Sequence, residues 1–335
     1  MNAHAAAAAG SNPLVSVVLP THDRPALLAE AAQSVVHQTM PDWELVVVDD
    51  ASQPAVDVSA LGGERGRVHA LRNERSIGGA ASKVTGARSA RGEFIAFLDD
   101  DDLYARDLLE RASAAFQSHP EVDVLFLGVH WFGRQAEAAV PEQAESMQRV
   151  LRIAPPREDG DLWLFDGRLF EGLLHAIPMD FQRVIVRRDA FDRIGPHRAD
   201  CLMWDSEWAL RAALSARCAL LRPRLYWQRA DGQEYFSRPG RERAQMESAL
   251  EMTLRLRERP PPGTSRASLE LLRVAASRHA GSLAYFHAKH GPLSSSLAAW
   301  WRSLRLQPGV ASPRVPLAAF AHAARRQWRQ ESFPR

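Results

Sequence analysis

Cysteine is nearly absent. Two residues, Cys201 and Cys218, in a chain of 335 cannot form a disulfide framework, and their spacing matches no zinc pattern, so a reducing compartment and two small buried side chains are expected. No apolar run reaches the roughly 18 to 20 residues needed to cross a bilayer. The opening residues are mostly alanine, without a basic start or a leucine-rich stretch, which predicts a loose tail and not a signal peptide. No G-x-G-x-x-G follows the first predicted strand, so a dinucleotide cofactor is disfavoured. An internal repeat is also lacking. What is there is an ordinary globular composition, 46% apolar, long enough for one large domain or a domain with a helical extension.

Net charge is small, +2, but unevenly spread: 16 basic against 6 acidic residues after position 240, and 26 against 34 before it. A basic C-terminal part suits an anionic partner. Aromatic residues interleave with its arginines at helical spacing, first Trp300, Trp301, Arg302 and Arg305, then Phe320, Arg325, Arg326, Trp328 and Arg329. Such faces fit a phospholipid surface, and packing of amphipathic helices onto a catalytic domain accounts for the aromatics equally well.

Residues 14–19 are β-branched, apolar and stopped by Pro20, which predicts a buried strand. A helix over 25–38 follows a polar Thr21-His22-Asp23 start. Further strands are predicted at 43–48, 68–71 and 94–98, with a helix at 80–90 after Gly78-Gly79. This alternation predicts an α/β fold, a doubly wound, Rossmann-like, mostly parallel sheet flanked by helices. Beyond it, strands are expected at 122–129, 184–186 and 220–226, and helices at 110–116, 189–194 and 204–214. Residues 134–161 are polar and poorly periodic and read as an excursion near the site. From about residue 240 the pattern is helical, broken at Pro260-Pro261-Pro262 and Pro308.

Ligands of such sheets sit beyond the carboxyl ends of the strands. Pro20-Thr21, Asp49-Asp50 and Asp99 to Asp102 all fall at such ends, so three polar clusters distant in sequence should converge on one crevice. Four consecutive aspartates after a buried strand repel one another unless a cation compensates them. Asp99 and Asp101 can turn toward one ion, and oxygen ligands suit Mg2+ or Mn2+. The plain alternative is an acidic helix start, because Leu103-Tyr104-Ala105 reads as a first helical turn.

Taken in order, VSVVLPTHDRP, ELVVVDDAS, RNERSIGGAASKVTGARSARGEFIAFLDDDD and IGPHRADCLMWDSEWALRAAL resemble the inverting glycosyltransferases of the GT-A fold usually called family 2, over residues 14–215. The resemblance implies a GT-A domain at 13–235 between a disordered tail at 1–12 and a helical extension at 236–335. It further implies a nucleotide-sugar donor, with UDP the expected nucleotide, Mn2+ or Mg2+ as cofactor, and a glycan or lipid-linked acceptor in polysaccharide assembly. No nucleic-acid partner is expected. The location implied is cytoplasmic, with peripheral contact at the inner face of the membrane through the basic helices.

Carried onto this sequence, Pro20, Thr21 and Arg24 would lie along the nucleotide base, with Asp49 or Asp50 accepting a hydrogen bond from a ring N–H. Asn73, Gly78 and Gly79 would shape the loop near the ribose and phosphates, and Lys83 would carry charge there, although Lys83-Val84 stands where relatives often have Arg-Asn. Asp99 and Asp100 would face the donor, and Asp99 and Asp101 the metal. Trp204-Asp205 holds the place of the family's Glu-Asp pair, which makes Asp205 the predicted catalytic base and Glu207 the alternative. Trp204 then either stacks on an acceptor sugar or marks an inactive relative that binds nucleotide sugar or glycan. Asp180 and Gln182 would border the acceptor, while His175, His197 and Tyr235 read as structural or surface residues. A nucleotidyltransferase is disfavoured, since Thr21 to Pro25 is no glycine-rich loop.

Overall fold

The computed structural model describes residues 12–62, 66–231, 240–309 and 321. Tyr235, Phe320, Arg325, Arg326, Trp328 and Arg329, the predicted tail up to residue 11 and the predicted boundary at 235–236 lie outside the described residues. In chain order the main elements are β1 (Val15–Thr21), α1 (Pro25–Val36), β2 (Trp43–Asp49), β3 (Val68–Arg72), α2 (Gly79–Ser89), β4 (Phe94–Phe97), β5 (Leu103–Tyr104), α3 (Leu108–Ser118) and β6 (Val124–Phe132). There follow α4 (Ala136–Ile153), β7 (Arg157–Asp159), β8 (Leu162–Leu164), α5 (Leu169–Leu173), β9 (Val184–Arg187), α6 (Arg188–Ile194), α7 (Trp204–Ser215) and β10 (Cys218–Arg229). Helices α8 (Glu242–Glu258), α9 (Arg266–His290) and α10 (Leu293–Leu306) complete the described chain.

One sheet runs β3-β2-β1-β4-β9-β6-β10-β8-β7, with β5 paired to β10. Strands β3, β2, β1 and β4 are mutually parallel, as are β6 and β10, while β9 lies antiparallel between β4 and β6. Every residue of β1 and β2 is buried, because both sheet faces are covered. Alternate side chains serve opposite layers: Val17 and Leu19 pack with Leu28, Ala31 and Val35 of α1 and Leu109 and Phe116 of α3, whereas Val18 packs with Ala87 of α2. The second layer also holds Trp208 of α7, Met252 and Leu256 of α8, and Leu272 and Ala275 of α9. The helical C-terminal part thus shares the core of the sheet.

Two local expectations are corrected. Residues 136–153 form the long helix α4, interrupted by neither loop nor Pro141, and a hairpin of β7 and β8 follows. Only Val150 of that helix is fully buried, so the apolar stripe that reveals a helix in sequence is weak. Leu103-Tyr104 is a short strand, not a helical turn: it pairs with Trp227 and Tyr226, and the Tyr104 hydroxyl donates to the Phe97 carbonyl at 3.0 Å.

Candidate active site

Parallel β1, β2, β4, β6 and β10 deliver their carboxyl ends to one edge, and the predicted convergence there is direct contact. Thr21 donates its hydroxyl to Asp100 at 2.8 Å, and the Arg24 guanidinium reaches Asp100 at 3.0 Å and Asp101 at 3.2 Å. Pro20 is buried within β1, beside Val48. Asp50 gathers the loop after β3, accepting from Asn73 Nδ2 at 2.8 Å, the Ser76 hydroxyl at 2.7 Å and the Ile77 and Gly78 amides at 2.9 Å. Burial alone would raise the Asp50 pKa, but these donors hold it down to about 2. Gly78 sits at φ 85, a conformation glycine adopts at little cost, and caps the start of α2.

Asp49 is likewise committed internally, to the Ser52 amide at 2.8 Å, the Val56 amide at 3.1 Å and Arg72. The oxygens of Asp49 and Asp50, expected to face a nucleotide ring, are turned to these internal donors in this structure. Both are buried, and their oxygens fold the loops that frame the cleft. Asn73 is also part of this frame, donating to Asp50 and to the Ser82 hydroxyl at 3.1 Å. Gly79 opens α2 and lies against Trp204.

The four aspartates have four environments. Asp99 meets the Lys83 ammonium at 2.7 Å and Arg183 at 3.5 Å. Its pKa, which burial would raise, is brought down to about 2 by these two cations. Asp100 is spent on Thr21 and Arg24, and burial leaves its pKa raised. Asp101 is pushed up to about 6, by burial and then by the charges of Asp99 and Asp100, with Arg24 only partly compensating. Asp102 does not cap a helix; it accepts from the Tyr226 hydroxyl at 2.8 Å and the Arg229 amide at 2.9 Å, and burial raises its pKa to about 8.

This donor set fits a divalent cation shared with a ligand. Among the described residues no group of three or more histidine, cysteine or acidic side chains is gathered that could hold one. Mg2+ and Mn2+ are commonly bound by one or two carboxylates with phosphate and water completing the shell. Asp101, partly exposed and short of positive charge, suits that role. Asp99, expected beside it as a ligand, instead has both oxygens turned to Lys83 and Arg183.

Across the cleft, Asp205 stands in the first turn of α7. Its oxygens lie 3.6 Å from Arg183, 3.9 Å from Lys83 and 3.9 Å from His197 Nε2. Burial raises its pKa to about 6 against the pull of Lys83 and Arg183. Lys83 is one of only two lysines in the chain, buried, with its ammonium 4.3 Å from the centre of the Trp204 ring. His197 meets Trp204 edge-on at 5.1 Å and stacks on Trp208. It is buried, and burial with the neighbouring Lys83 and Arg211 drives its pKa well below the usual value, so it is neutral.

Other acceptor-side expectations change. Glu207 is fully engaged by Arg211, with contacts of 2.8 to 3.0 Å, and Arg211 also clamps the carbonyls of Ile194, Gly195 and Pro196. That makes Glu207 a structural partner and removes it as the alternative base. Asp180 is buried, accepts from the Val129 amide at 3.0 Å and from Gln143 of α4, and so anchors a helix instead of lining the acceptor side. Gln182 donates to the Ile177 carbonyl at 3.2 Å within its own loop. Arg183, its neighbour, was not singled out by the motifs, although it is a charge set directly before the apolar run Val184-Ile185-Val186.

With this geometry in view, comparison with known proteins decides the family: the model of glycosyl transferase family 2 matches residues 16–193. The chain belongs to glycosyl transferase family 2. Among curated relatives, a UDP-Glc:alpha-D-GlcNAc-diphosphoundecaprenol beta-1,3-glucosyltransferase of Escherichia coli, WfgD, is 36% identical over 97 residues, 29% of this chain and 38% of that one. The putative teichuronic acid biosynthesis glycosyltransferase TuaG of Bacillus subtilis is 33% identical over 101 residues, covering 30% and 40%. The matched part thus spans about two fifths of these relatives' length. S. aureus TarS, residues 1–349, superposes with a TM-score of 0.61 at 18% identity over 96% of this chain and 93% of that one, which shows the GT-A fold.

Proposed function

We propose that the chain is a metal-dependent, inverting glycosyltransferase that moves a sugar from a nucleoside diphosphate, UDP in the first instance, to an alcohol of a glycan or lipid-linked acceptor. The observation that carries this is the meeting of Asp99 and Asp205, far apart in sequence, around the same two buried cations in one cleft. Asp205, with a pKa near 6, is ionised at neutral pH yet basic enough to take the acceptor proton, the match a general base needs. Attack opposite the departing diphosphate then inverts the anomeric carbon in one displacement. Lys83 and Arg24 bring positive charge to the donor side, and the loop held by Asp50 shapes it. A divalent ion held by Asp101 would neutralise charge on the leaving diphosphate. Trp204, beside the base, offers an aromatic edge to a sugar.

TarS has been solved with UDP-GlcNAc, and WfgD acts on a diphosphoundecaprenol acceptor, which supports UDP and a lipid-linked substrate here. A mannosyltransferase from Pyrobaculum calidifontis, 19% identical with a TM-score of 0.51 over 95% of this chain and 88% of that one, has been solved with GDP-Man and Mn2+. Among the described residues no helix is long and apolar enough to cross a membrane. Peripheral contact through α10, where Trp301 is 54% exposed next to exposed Arg302 and Arg305, and a cytoplasmic location belong to the same reading. Trp204 in place of an acid favours one other reading, a relative that binds donor without turnover.

Calorimetry against UDP-, GDP- and dTDP-sugars, with and without Mn2+, tests the proposal. Mn2+-dependent binding of one nucleotide class, with release of its nucleoside diphosphate, is expected. Binding without release would select the inactive reading, and failure of every donor to bind would refute both.

A further inference from the structure

Arg183 is an enclosed charge of the cleft, its side chain 7% exposed. Its Nη2 lies 3.5 Å from Asp99 and 3.7 Å from Asp102, and its Nη1 3.6 Å from Asp205. Its Nε donates to Gln228 at 3.0 Å, and the guanidinium lies 5.1 Å from the centre of the Tyr226 ring. Lys83 reaches two of the same acids, at 2.7 Å and 3.9 Å. Asp99, Lys83, Asp205 and Arg183 therefore alternate in sign around a closed ring of four side chains.

We infer that Arg183 is a positioning residue: anchored by Gln228 and Tyr226, it holds the Asp205 carboxylate charged and oriented for proton acceptance. The inference rests on Asp205 being the base. The groups facing Asp205 are Lys83 from α2, Arg183 ahead of β9, neutral His197 from the segment between α6 and α7, and Asp99 from the end of β4. Two of these favour its charged form, and burial and Asp99 oppose it. A planar guanidinium can bridge two carboxylates at once, which a lysine at the same place does less well.

The test reads Asp205 without needing a substrate. In protein labelled with 13C at aspartate Cγ, the resonance missing from Asp205→Asn reports the titration of this carboxyl. Its midpoint should rise by about one pH unit or more in Arg183→Gln, which leaves about tenfold less ionised base at pH values below the midpoint. Arg183→Lys should recover most of the shift. Gln228→Met, which removes only the anchor of Arg183, should give a smaller shift in the same direction and serves if Arg183→Gln does not fold. In turnover of a UDP-sugar, the acidic limb of kcat should move with that midpoint while KM for the donor stays within about threefold. An unmoved midpoint in both Arg183→Gln and Gln228→Met overturns the inference, as does a loss of kcat that is uniform across pH. Failure of the wild-type protein to turn over any donor would count against the proposed reaction, and the titration would still decide the role of Arg183.

Discussion

Replacing Gly86 by alanine tests how the cleft is built. Gly86 lies in α2 one turn after Lys83, and a Cβ there would come 2.4 Å from Val18 Cγ1 and 2.9 Å from Val48 Cγ2. Carbon atoms pack at about 3.5 to 4.0 Å, so the overlap with Val18 exceeds about 1 Å. Val18 and Val48 are fully buried in the centre of the sheet and cannot withdraw. The helix must lift, at a cost of about 1 to 3 kcal/mol for overpacking, offset by about 1 kcal/mol from the better helix propensity of alanine. A net loss of up to about 2 kcal/mol is expected in urea unfolding at unchanged m-value. Lifting α2 also draws Lys83 from its 2.7 Å contact with Asp99, so turnover should fall with stability. The double variant with Val18→Ala removes the nearest methyls and should show a favourable coupling of about 1 kcal/mol. A stabilising Gly86→Ala, or strict additivity with Val18→Ala, would refute the seating of α2 on β1 and β2.

Four further outcomes follow from the site. Asp101→Ala should abolish Mn2+-dependent donor binding by calorimetry, whereas Asp205→Asn should retain binding and lose transfer by about 100-fold or more; unchanged turnover in Asp205→Asn would mean the base lies elsewhere. Asp50→Asn should cost about 2 kcal/mol near neutral pH, because it weakens charge-assisted bonds to Asn73, Ser76, Ile77 and Gly78. Since the folded Asp50 titrates near 2, below its unfolded value, this contribution is present above about pH 4 and is lost as pH falls through 2, so stability curves of Asp50→Asn and wild type should converge in acid. Glu207→Gln should lower stability by about 3 kcal/mol by leaving the Arg211 clamp without its counter-charge, while the fraction that folds keeps a pH profile set by Asp205.

The strands at the cleft were readable because β1, β2 and β4 are fully buried and written as continuous apolar runs ending in polar residues. That pattern placed Thr21, Asp50, Asp99 and Asp101 at one edge without knowledge of any contact. Individual roles were less readable. A carboxylate at a strand end looks the same in sequence whether it faces a ligand or folds a loop, and Asp49, Asp50 and Asp180 each bind backbone amides of neighbouring segments. Helix α4 escaped notice since it lies on the surface and buries little beyond Val150. Arg183 escaped for the opposite reason: its importance comes from a buried charge pattern assembled by segments distant in sequence, and local spacing carries no trace of it.

The reversed direction of β9 inside an otherwise parallel neighbourhood has a consequence for how this site can be remodelled. In a uniform sheet only what comes after each strand enters the crevice; here, what comes before one strand enters as well. The short stretch ahead of Val184 can therefore exchange side chains into the middle of the reaction zone while every hydrogen-bonded ladder around it stays as it is. Position 183 is a dial that this architecture leaves open between two otherwise fixed walls, and the charge it carries sets how the two walls talk to each other.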